Sequence, residues 1–197
     1  MKRIAVFASH GGSNLQAIID GCYEGKINAK VVVVISNNPD AFALERAKHA
    51  GIPGCCLNKK ICGNNLGEEI LKLLKVHNVE MIFLAGYLKK LPDEVLQAYR
   101  DCIYNIHPSL LPKFGGKGMY GINVHKAVLE AGEKESGATI HKVAGEYDTG
   151  DIISQKKVPI FEGETPDTLA KRVLAAEHEL VVETLAVLIR VKCKTLT

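Results

Sequence analysis

The sequence predicts an α/β fold: a mostly parallel, twisted sheet of about seven strands with helices on both faces. Short runs of β-branched apolar residues alternate with longer segments of helical period, which is the pattern of βαβ units. The 197 residues suit one domain, and the 47% hydrophobic content is enough for one core. We therefore predict a single domain over residues 1–197 with a Rossmann-like amino-terminal half.

The alternation is most regular in the first 85 residues. Apolar runs predict strands at residues 4–8, 31–35, 54–57 and 81–85. Apolar residues at helical spacing predict helices at residues 15–23 and about 65–77. Between these two, Asp40 follows an Asn-Asn-Pro turn and is expected to cap a helix that runs to Ala50 and stops at Gly51.

Beyond the fourth strand the pattern is less regular. Pro92 and Asp93 open a predicted helix that runs to Tyr99. Further strands are predicted at residues 102–106, 138–143 and 152–158, and further helices at residues 124–130 and 165–191. Residues 113–121 hold four glycines and are expected to form a loop. A turn-rich segment at residues 146–151 separates the last two strands.

Composition argues against several classes of partner. The net charge of +3 comes from basic and acidic residues spread along the chain, so no nucleic-acid surface is predicted. The six cysteines form no pair of CxxC motifs, which favours reduced thiols without a metal. The apolar stretch at residues 4–8 is too short for a signal peptide or a membrane span. We expect a cytoplasmic protein without a membrane partner.

A Gly-Gly-Ser-Asn turn, residues 11–14, joins the first strand to the first helix. Small residues there let backbone N–H groups surround an anion at the positive end of the helix dipole, which favours a phosphate site. A plain tight turn is an equally good interpretation of the turn taken alone. The turn lacks the GxGxxG pattern of a dinucleotide-binding dehydrogenase and the lysine of a P-loop.

A second candidate lies where the strand at residues 102–106 ends. Asn105 and His107 are two residues apart, so both side chains face the same side of the strand, toward the carboxyl edge of the sheet. An amide donor can stabilise a tetrahedral oxyanion while an imidazole moves protons near neutral pH. This pair therefore suits acyl transfer, and the prolines at 108 and 112 fix the backbone that leaves it.

Two carboxylates and one further histidine are also candidate site residues. Asp148 lies in the turn-rich segment and His141 one strand earlier; near His107, the carboxylate would raise the imidazole pKa. By itself, Asp148 is better explained as a turn former. Glu177 lies inside the last helix, where a solvated face is the ordinary interpretation and a substrate contact the alternative. His10, His49, His77 and His125 lack companion residues and are expected to be structural or exposed.

In order and spacing, these segments resemble the glycinamide ribonucleotide formyltransferase family over most of the chain. The motifs that carry the resemblance are Gly-Ser-Asn-Leu-Gln at residues 12–16, Ile-Ser-Asn at 35–37, Leu-Glu-Arg-Ala at 44–47, Leu-Ala-Gly-Tyr at 84–87, Asn-Ile-His-Pro-Ser-Leu-Leu-Pro at 105–112, Gly-Ala-Thr-Ile-His at 137–141 and Asp-Thr-Gly at 148–150. The resemblance implies the formyltransferase fold, with a phosphate-binding half at about residues 1–100 and a catalytic, folate-binding half at about 101–197.

The resemblance also implies roles for particular residues. The catalytic set comprises Asn105, His107 and Asp148, with His141 in support of the carboxylate. The ribonucleotide is implied to contact the turn of Gly11, Gly12, Ser13 and Asn14 through its phosphate, and also Glu177. The folate is implied to contact Leu88, Lys89, Lys90, Leu91, Asn105, Glu146, Tyr147 and Asp148. The substrates are small molecules, a phosphorylated glycinamide and 10-formyltetrahydrofolate as the co-substrate, in purine synthesis; no metal is implied, and a monomer or a homodimer is compatible.

Several residues depart from the family pattern, namely His10, Gly11, Gly115, Lys142, Asp151 and Leu174; some relatives have a lysine near the phosphate in place of Leu174. Among related activities, formyltetrahydrofolate deformylase and methionyl-tRNA formyltransferase share the Asn-His-Asp set, but each is expected to need a further domain that 197 residues do not accommodate. A folate-binding module without catalysis is the remaining alternative, and the presence of all three catalytic residues argues against it.

Overall fold

The computed structural model describes residues 1–190, in which seven strands form one sheet of order β3-β2-β1-β4-β5-β6-β7. The strands β1 to β5 pair in parallel, and β6 and β7 are antiparallel, so the predicted mostly parallel sheet is confirmed. The strands are β1 Lys2–Phe7, β2 Ala29–Ser36, β3 Gly54–Cys56, β4 Met81–Leu84, β5 Ile103–His107, β6 Glu135–Lys142 and β7 Ile152–Pro159.

Seven α-helices accompany the strands in the part of the chain that the structure describes. They are α1 Ser13–Tyr23, α2 Phe42–His49, α3 Lys59–Cys62, α4 Leu66–Val76, α5 Asp93–Ala98, α6 Ile122–Glu130 and α7 Pro166–Leu188, with a 3₁₀ turn at Gly63–Asn65 before α4. The short α3 was not predicted, because four residues show no helical period. None of the helices in residues 1–190 is both long and apolar enough to cross a membrane.

Helix starts differ in part from the sequence predictions. The prediction that Asp40 caps α2 is wrong: α2 begins after Ala41 and has no side-chain cap, while the backbone N–H of Asp40 donates to Asn38 Oδ1 over 3.1 Å in a local turn. By contrast, α7 begins with a capping box in which Thr165 and Thr168 bond each other's backbone. This helix ends at Leu188, with Ile189 as its carboxyl-terminal cap, so the predicted helix to residue 191 is too long.

Helices cover both faces of the sheet, and successive strand residues alternate between two cores. On β1, Ile4 and Val6 pack into a core with residues of α1 and α7, whereas Ala5 and Phe7 pack into a core with residues of α4 and α5. All four side chains have no solvent exposure. The continuous apolar runs in the sequence therefore reflect strands that are buried on both sides.

The order in which strands are added to the sheet changes side between the parallel strands β1 and β4. From β1 the chain adds β2 and β3 on one side, and it then returns to place β4 and β5 on the other. Such a reversal opens a crevice beyond the carboxyl ends of the strands, where α/β proteins bind ligands. The loops that follow β1, β4 and β5 all begin at this edge.

Candidate active site

A cavity of about 500 Å³ occupies the carboxyl edge of the sheet. Most of the residues proposed from the sequence line it, from both halves of the chain. The lining includes Asn14, residues 88–91, Asn105, His107, His141, Glu146, Tyr147, Asp148 and Glu177. Gly11, Gly12 and Ser13 are not part of the lining, although Asn14 of the same turn is.

The antiparallel pairing of β5 and β6 places two of these side chains together. Asn105 is directly opposite His141 in the ladder, and the amide nitrogen of Asn105 lies 3.0 Å from His141 Nε2. His141 Nδ1 donates to the carbonyl oxygen of Lys142 over 2.7 Å, which leaves Nε2 facing the Asn105 amide and the Asp148 carboxylate. The sequence placed both residues on strands but could not give the register that makes them neighbours.

Asp148 reaches the same cluster from the turn between β6 and β7. Its backbone has a positive φ of 56°, a conformation that Asp adopts more readily than most residues. A Cβ atom on Gly150 would overlap the carbonyl oxygen of Lys142, so this turn packs directly on the end of β6. The glycine of the Asp-Thr-Gly motif therefore allows the close approach that brings Asp148 into the cavity.

The carboxylate of Asp148 contacts both imidazoles. Its Oδ2 lies 3.5 Å from His107 Nδ1 and accepts the backbone N–H of Gly116 over 2.9 Å. Its Oδ1 lies 3.4 Å from His141 Nε2 and 3.3 Å from the amide nitrogen of Asn105. Burial raises the pKa of Asp148, but the hydrogen bonds and the two imidazoles outweigh burial, and the pKa is lowered. The carboxylate is therefore ionised at neutral pH.

The pKa of His107 is set mainly by burial. Its Nε2 donates to the carbonyl oxygen of Phe114 over 2.8 Å, and its side chain is 5% exposed. Burial lowers the pKa of His107 and outweighs the raising effects of Asp148 and Phe114. Asp148 therefore raises the pKa of His107 as expected, but the imidazolium form expected from it is not favoured, because the cost of charging a buried ring is larger than the attraction of the carboxylate.

The glycine turn between β1 and α1 packs closely on the neighbouring helix. Gly12 has a φ of 69°, and a Cβ atom there would lie 2.8 Å from Cβ of Ala43. The carbonyl oxygen of Gly11 accepts from Arg46 Nε over 2.8 Å. No side chain caps the start of α1, so the first backbone N–H groups of this helix keep the positive end of its dipole open to an anion.

Glu177 is buried, contrary to the ordinary interpretation of its sequence position. The side chain lines the cavity beside Asn14, and the residue is 7% exposed. Burial raises the pKa of Glu177 to about 7, although a hydrogen bond with the Asn14 side chain lowers it. A carboxyl group that is half protonated near neutral pH can both donate and accept a hydrogen bond in the cavity.

The burial of Glu177 predicts a pH-dependent effect of Glu177→Gln. The pKa of Glu177 rises from 4.5 to about 7 on folding, so the folded state binds the proton more tightly than the unfolded chain. The resulting stabilisation of the folded state is complete below pH 4.5 and is lost as the pH rises through 7. Relative to the wild type, the glutamine variant should gain about 2 to 3 kcal/mol in free energy of unfolding between pH 5 and pH 8.5. Urea unfolding at the two pH values measures this gain.

The matched control for this prediction is Glu183→Gln, since the Glu183 side chain is 66% exposed on the same helix. Its effect on the free energy of unfolding should differ little between the two pH values. An equal effect of Glu177→Gln at pH 5 and pH 8.5 would contradict a raised pKa at this position.

The opposite end of the cavity combines apolar walls with charged residues at the mouth. Leu88 and Leu91 follow β4, and the backbone N–H of Leu88 donates to Ser9 Oγ over 2.8 Å. Lys90 and Glu146 form an ion pair of 3.1 Å between the segment after β4 and the segment after β6. The two segments that the family resemblance assigns to the folate are thus neighbours in the cavity lining.

Two residues that depart from the family pattern have a structural explanation. Gly115 lies against Asp148 and Leu111: a Cβ atom there would be 3.1 Å from Cβ of Asp148 and 2.6 Å from the Leu111 side chain. Lys142 pairs with Asp101 over 3.3 Å and lies 4.0 Å from Asp151. Leu174 lines the cavity.

Within residues 1–190, no group of three or more His, Cys, Asp or Glu side chains is arranged to hold a metal ion.

Sequence reasoning did not assign the buried histidine of α6 to the cavity. His125 of α6 was expected to be structural or exposed, but it is 4% exposed and lines the cavity. The available signal was its place beside Val124 and Val128, one helical turn apart on the helix that follows the glycine loop.

Five parallel strands with helices on both faces, and a cavity with several polar side chains at their carboxyl edge, define an α/β protein with a candidate ligand site at a topological switch point. The chain belongs to the formyl transferase family, whose family model matches residues 2–185. The matched region contains every residue of the cluster around Asp148.

Individual relatives have more specific names. The chain is 48% identical to a chloroplastic phosphoribosylglycinamide formyltransferase from Arabidopsis thaliana, over 92% of this chain and 63% of the relative. It is 43% identical to a phosphoribosylglycinamide formyltransferase from Haemophilus influenzae, over 91% of this chain and 84% of the relative. The chain thus spans less than two thirds of the length of the Arabidopsis protein.

Solved structures show the same fold. A glycinamide ribonucleotide transformylase from Symbiobacterium toebii superimposes with a TM-score of 0.90 at 38% identity, over 96% of this chain and 88% of that one. A formyltetrahydrofolate deformylase from Pseudomonas syringae superimposes with a TM-score of 0.85 but only 23% identity, over 96% of this chain and 61% of that one. The second similarity concerns the fold alone.

Proposed function

We propose that this protein transfers the formyl group of 10-formyltetrahydrofolate to the amine of 5'-phosphoribosylglycinamide in purine synthesis. The observation that carries the proposal is the cluster of Asn105, His107 and Asp148 in one cavity, with contacts of 3.3 and 3.5 Å from the carboxylate to the other two side chains. The names of the relatives that are 48% and 43% identical over most of the chain support the same activity.

The reaction needs an oxyanion site and a proton path. The substrate amine attacks the formyl carbon, a C–N bond forms, and the carbonyl electron pair moves to the oxygen. Asn105 donates an amide N–H to this oxyanion in place of its long contact with Asp148. His107 in its protonated form supplies a second N–H from Nδ1, because its Nε2–H is bonded to the carbonyl oxygen of Phe114. As negative charge develops, the proton affinity of His107 increases, which offsets the lowering of its pKa by burial.

Asp148 moves the proton in this scheme. The attacking amine becomes cationic and loses a proton to the ionised carboxylate, directly or through one water. The bond between the formyl carbon and the folate nitrogen then breaks as that nitrogen takes up the proton, and tetrahydrofolate leaves. His141 holds Asn105 through its Nε2 and so positions the amide, without contacting the reacting atoms.

Each half of the chain has its own substrate in this proposal. The open amino end of α1, at residues 11–14, binds the phosphate, with Glu177 facing the ribonucleotide nearby. The flat pterin ring lies between the apolar residues after β4 and the segment that leads to Asp148, where Glu146 and Tyr147 line the cavity. Lys89 and Lys90 are exposed at this mouth and suit the carboxylates of the folate.

The test is a formylation assay with purified protein, glycinamide ribonucleotide and 10-formyltetrahydrofolate, followed through the folate absorbance. We expect release of tetrahydrofolate that depends on both substrates. Release of formate without the ribonucleotide would instead indicate a deformylase, and folate binding without turnover would indicate a binding module. Methionyl-tRNA serves as a second acceptor in the same assay, and it should not be formylated.

A further inference from the structure

His125 is a buried polar residue in the cavity lining, and the proposed reaction gives it no role. It projects from α6, whose Val124 and Val128 pack on Leu169 and Val173 of α7. His125 is 4% exposed, and its Nδ1 is buried without a hydrogen-bond partner among the residues that the structure describes. A buried imidazole nitrogen that lacks a partner costs about 1 to 3 kcal/mol, so a histidine at this position needs an explanation.

Other buried polar side chains line the same cavity. Asn14 of α1 is 8% exposed, and its Oδ1 is also buried without a partner within residues 1–190. Glu177 of α7 is 7% exposed and interacts with the Asn14 amide. Three helices therefore contribute three polar side chains to one cavity whose exposed lining surface is mostly apolar. Polar groups on apolar walls suit a hydroxyl-bearing ligand.

The position of His125 also relates it to the reacting end of the cavity. It is close enough to His107 for the two imidazoles to interact electrostatically. The proposed phosphate site, by contrast, is at the start of α1. Between a 5'-phosphate at α1 and an amine at Asp148, the ribonucleotide has only its ribose and its amide to present to α6 and α7.

We propose that His125 hydrogen-bonds a ribose hydroxyl of the ribonucleotide, as a substrate-binding residue that works with Asn14 and Glu177. This inference rests on the proposed function. Burial, and to a smaller extent His107, lower the pKa of His125, so its ring is neutral at neutral pH. A neutral imidazole has one donor and one acceptor nitrogen, which matches a hydroxyl that both donates and accepts; a phosphate only accepts and gains no charge attraction from a neutral ring.

A purely structural role for His125 gives different expectations. If the ring only fills space between α6 and α7, an apolar ring of similar size removes the unpaired nitrogen and leaves substrate binding unchanged. If the ring binds ribose, the same substitution keeps the fold and weakens ribonucleotide binding. The variant His125→Phe separates the two roles, because stability and binding move in different directions.

The experiment compares His125→Phe and His125→Asn with the wild type. For His125→Phe we expect an unchanged or higher Tm, a KM for glycinamide ribonucleotide raised about tenfold, and a KM for formyl-folate within about twofold of the wild type. Competitive inhibition by ribose 5-phosphate, which has the ribose hydroxyls but no glycinamide, should weaken by a similar factor. His125→Asn, whose amide can replace one ring nitrogen, should lie between the two.

The control is His178→Asn, because His178 Nε2 is likewise buried without a partner in the described part of the chain, but His178 does not line the cavity. Its KM values should match the wild type. An unchanged KM for the ribonucleotide or unchanged inhibition by ribose 5-phosphate in His125→Phe overturns the inference; if that variant does not fold, His125→Asn decides by the same two values. A wild type that does not formylate the ribonucleotide refutes the proposed function instead.

Discussion

Asp148→Asn is expected to lower kcat by about 10³-fold, the largest effect of any substitution considered for this protein. The change keeps the size and shape of the side chain and removes its negative charge. The wild-type carboxylate is ionised and accepts from Gly116 while facing His107 and His141. An amide cannot take the proton from the attacking amine, so the cationic adduct loses the carboxylate base of the wild type.

The KM values for both substrates should change by less than about threefold in this variant, because Asp148 acts on the reacting proton and most binding contacts lie elsewhere in the cavity. Steady-state rates at saturating concentrations of both substrates measure the effect on kcat. Circular dichroism and the Tm check that the fold is kept.

The control substitution is Asp151→Asn. Asp151 lies three residues further along the chain, and its side chain is 84% exposed and 4.0 Å from Lys142. This variant should retain nearly full activity. If Asp148→Asn keeps more than about a tenth of the wild-type kcat, the carboxylate is not the base, and a role in holding the turn becomes the better explanation.

The sequence was most informative where the structure depends on short-range periodicity. Buried strands such as β2 and β4 appear as continuous apolar runs, and the side-chain alternation of a strand correctly placed Asn105 and His107 on one side. Both side chains do line the cavity. Short elements without a full period, such as α3, gave no such signal.

Prediction was weakest where a residue type suits two roles. Asp148 was best explained as a turn former by itself, and it does have the positive φ of a turn residue; the same conformation directs its carboxylate to two imidazoles. Only the pairing of β5 with β6 and the close approach at Gly150 bring these groups together, and neither follows from local pattern.

The helical residues Glu177 and His125 show a second limit. Their burial depends on how α6 and α7 pack on each other and on the sheet, and a helix sequence indicates only which residues share a face. The sign of the pKa shift of His107 has the same origin, because the desolvation that dominates it is a property of the assembled cavity. The effect of a neighbouring charge on a pKa can be predicted from sequence more readily than the effect of burial.

Asn105→Ala is expected to lower kcat by about 10²-fold or more with nearly unchanged KM values, because the donated N–H matters most when the oxyanion forms. The exposed Asn123→Ala on α6 is the control and should retain full activity. A raised KM for the folate with an unchanged kcat would contradict the assignment, since it would mean that Asn105 binds the ground state as strongly as the transition state.

The double variant Asn105→Ala with Asp148→Asn gives a sharper test of how the cluster acts. The Asn105 amide contacts both His141 and Asp148, so the two side chains hold each other in place as well as serving the reaction. If they act as one unit, the double variant should be little worse than Asp148→Asn alone, and the two losses in kcat should not multiply. Losses that multiply fully would show instead that the oxyanion contact and the proton path operate independently.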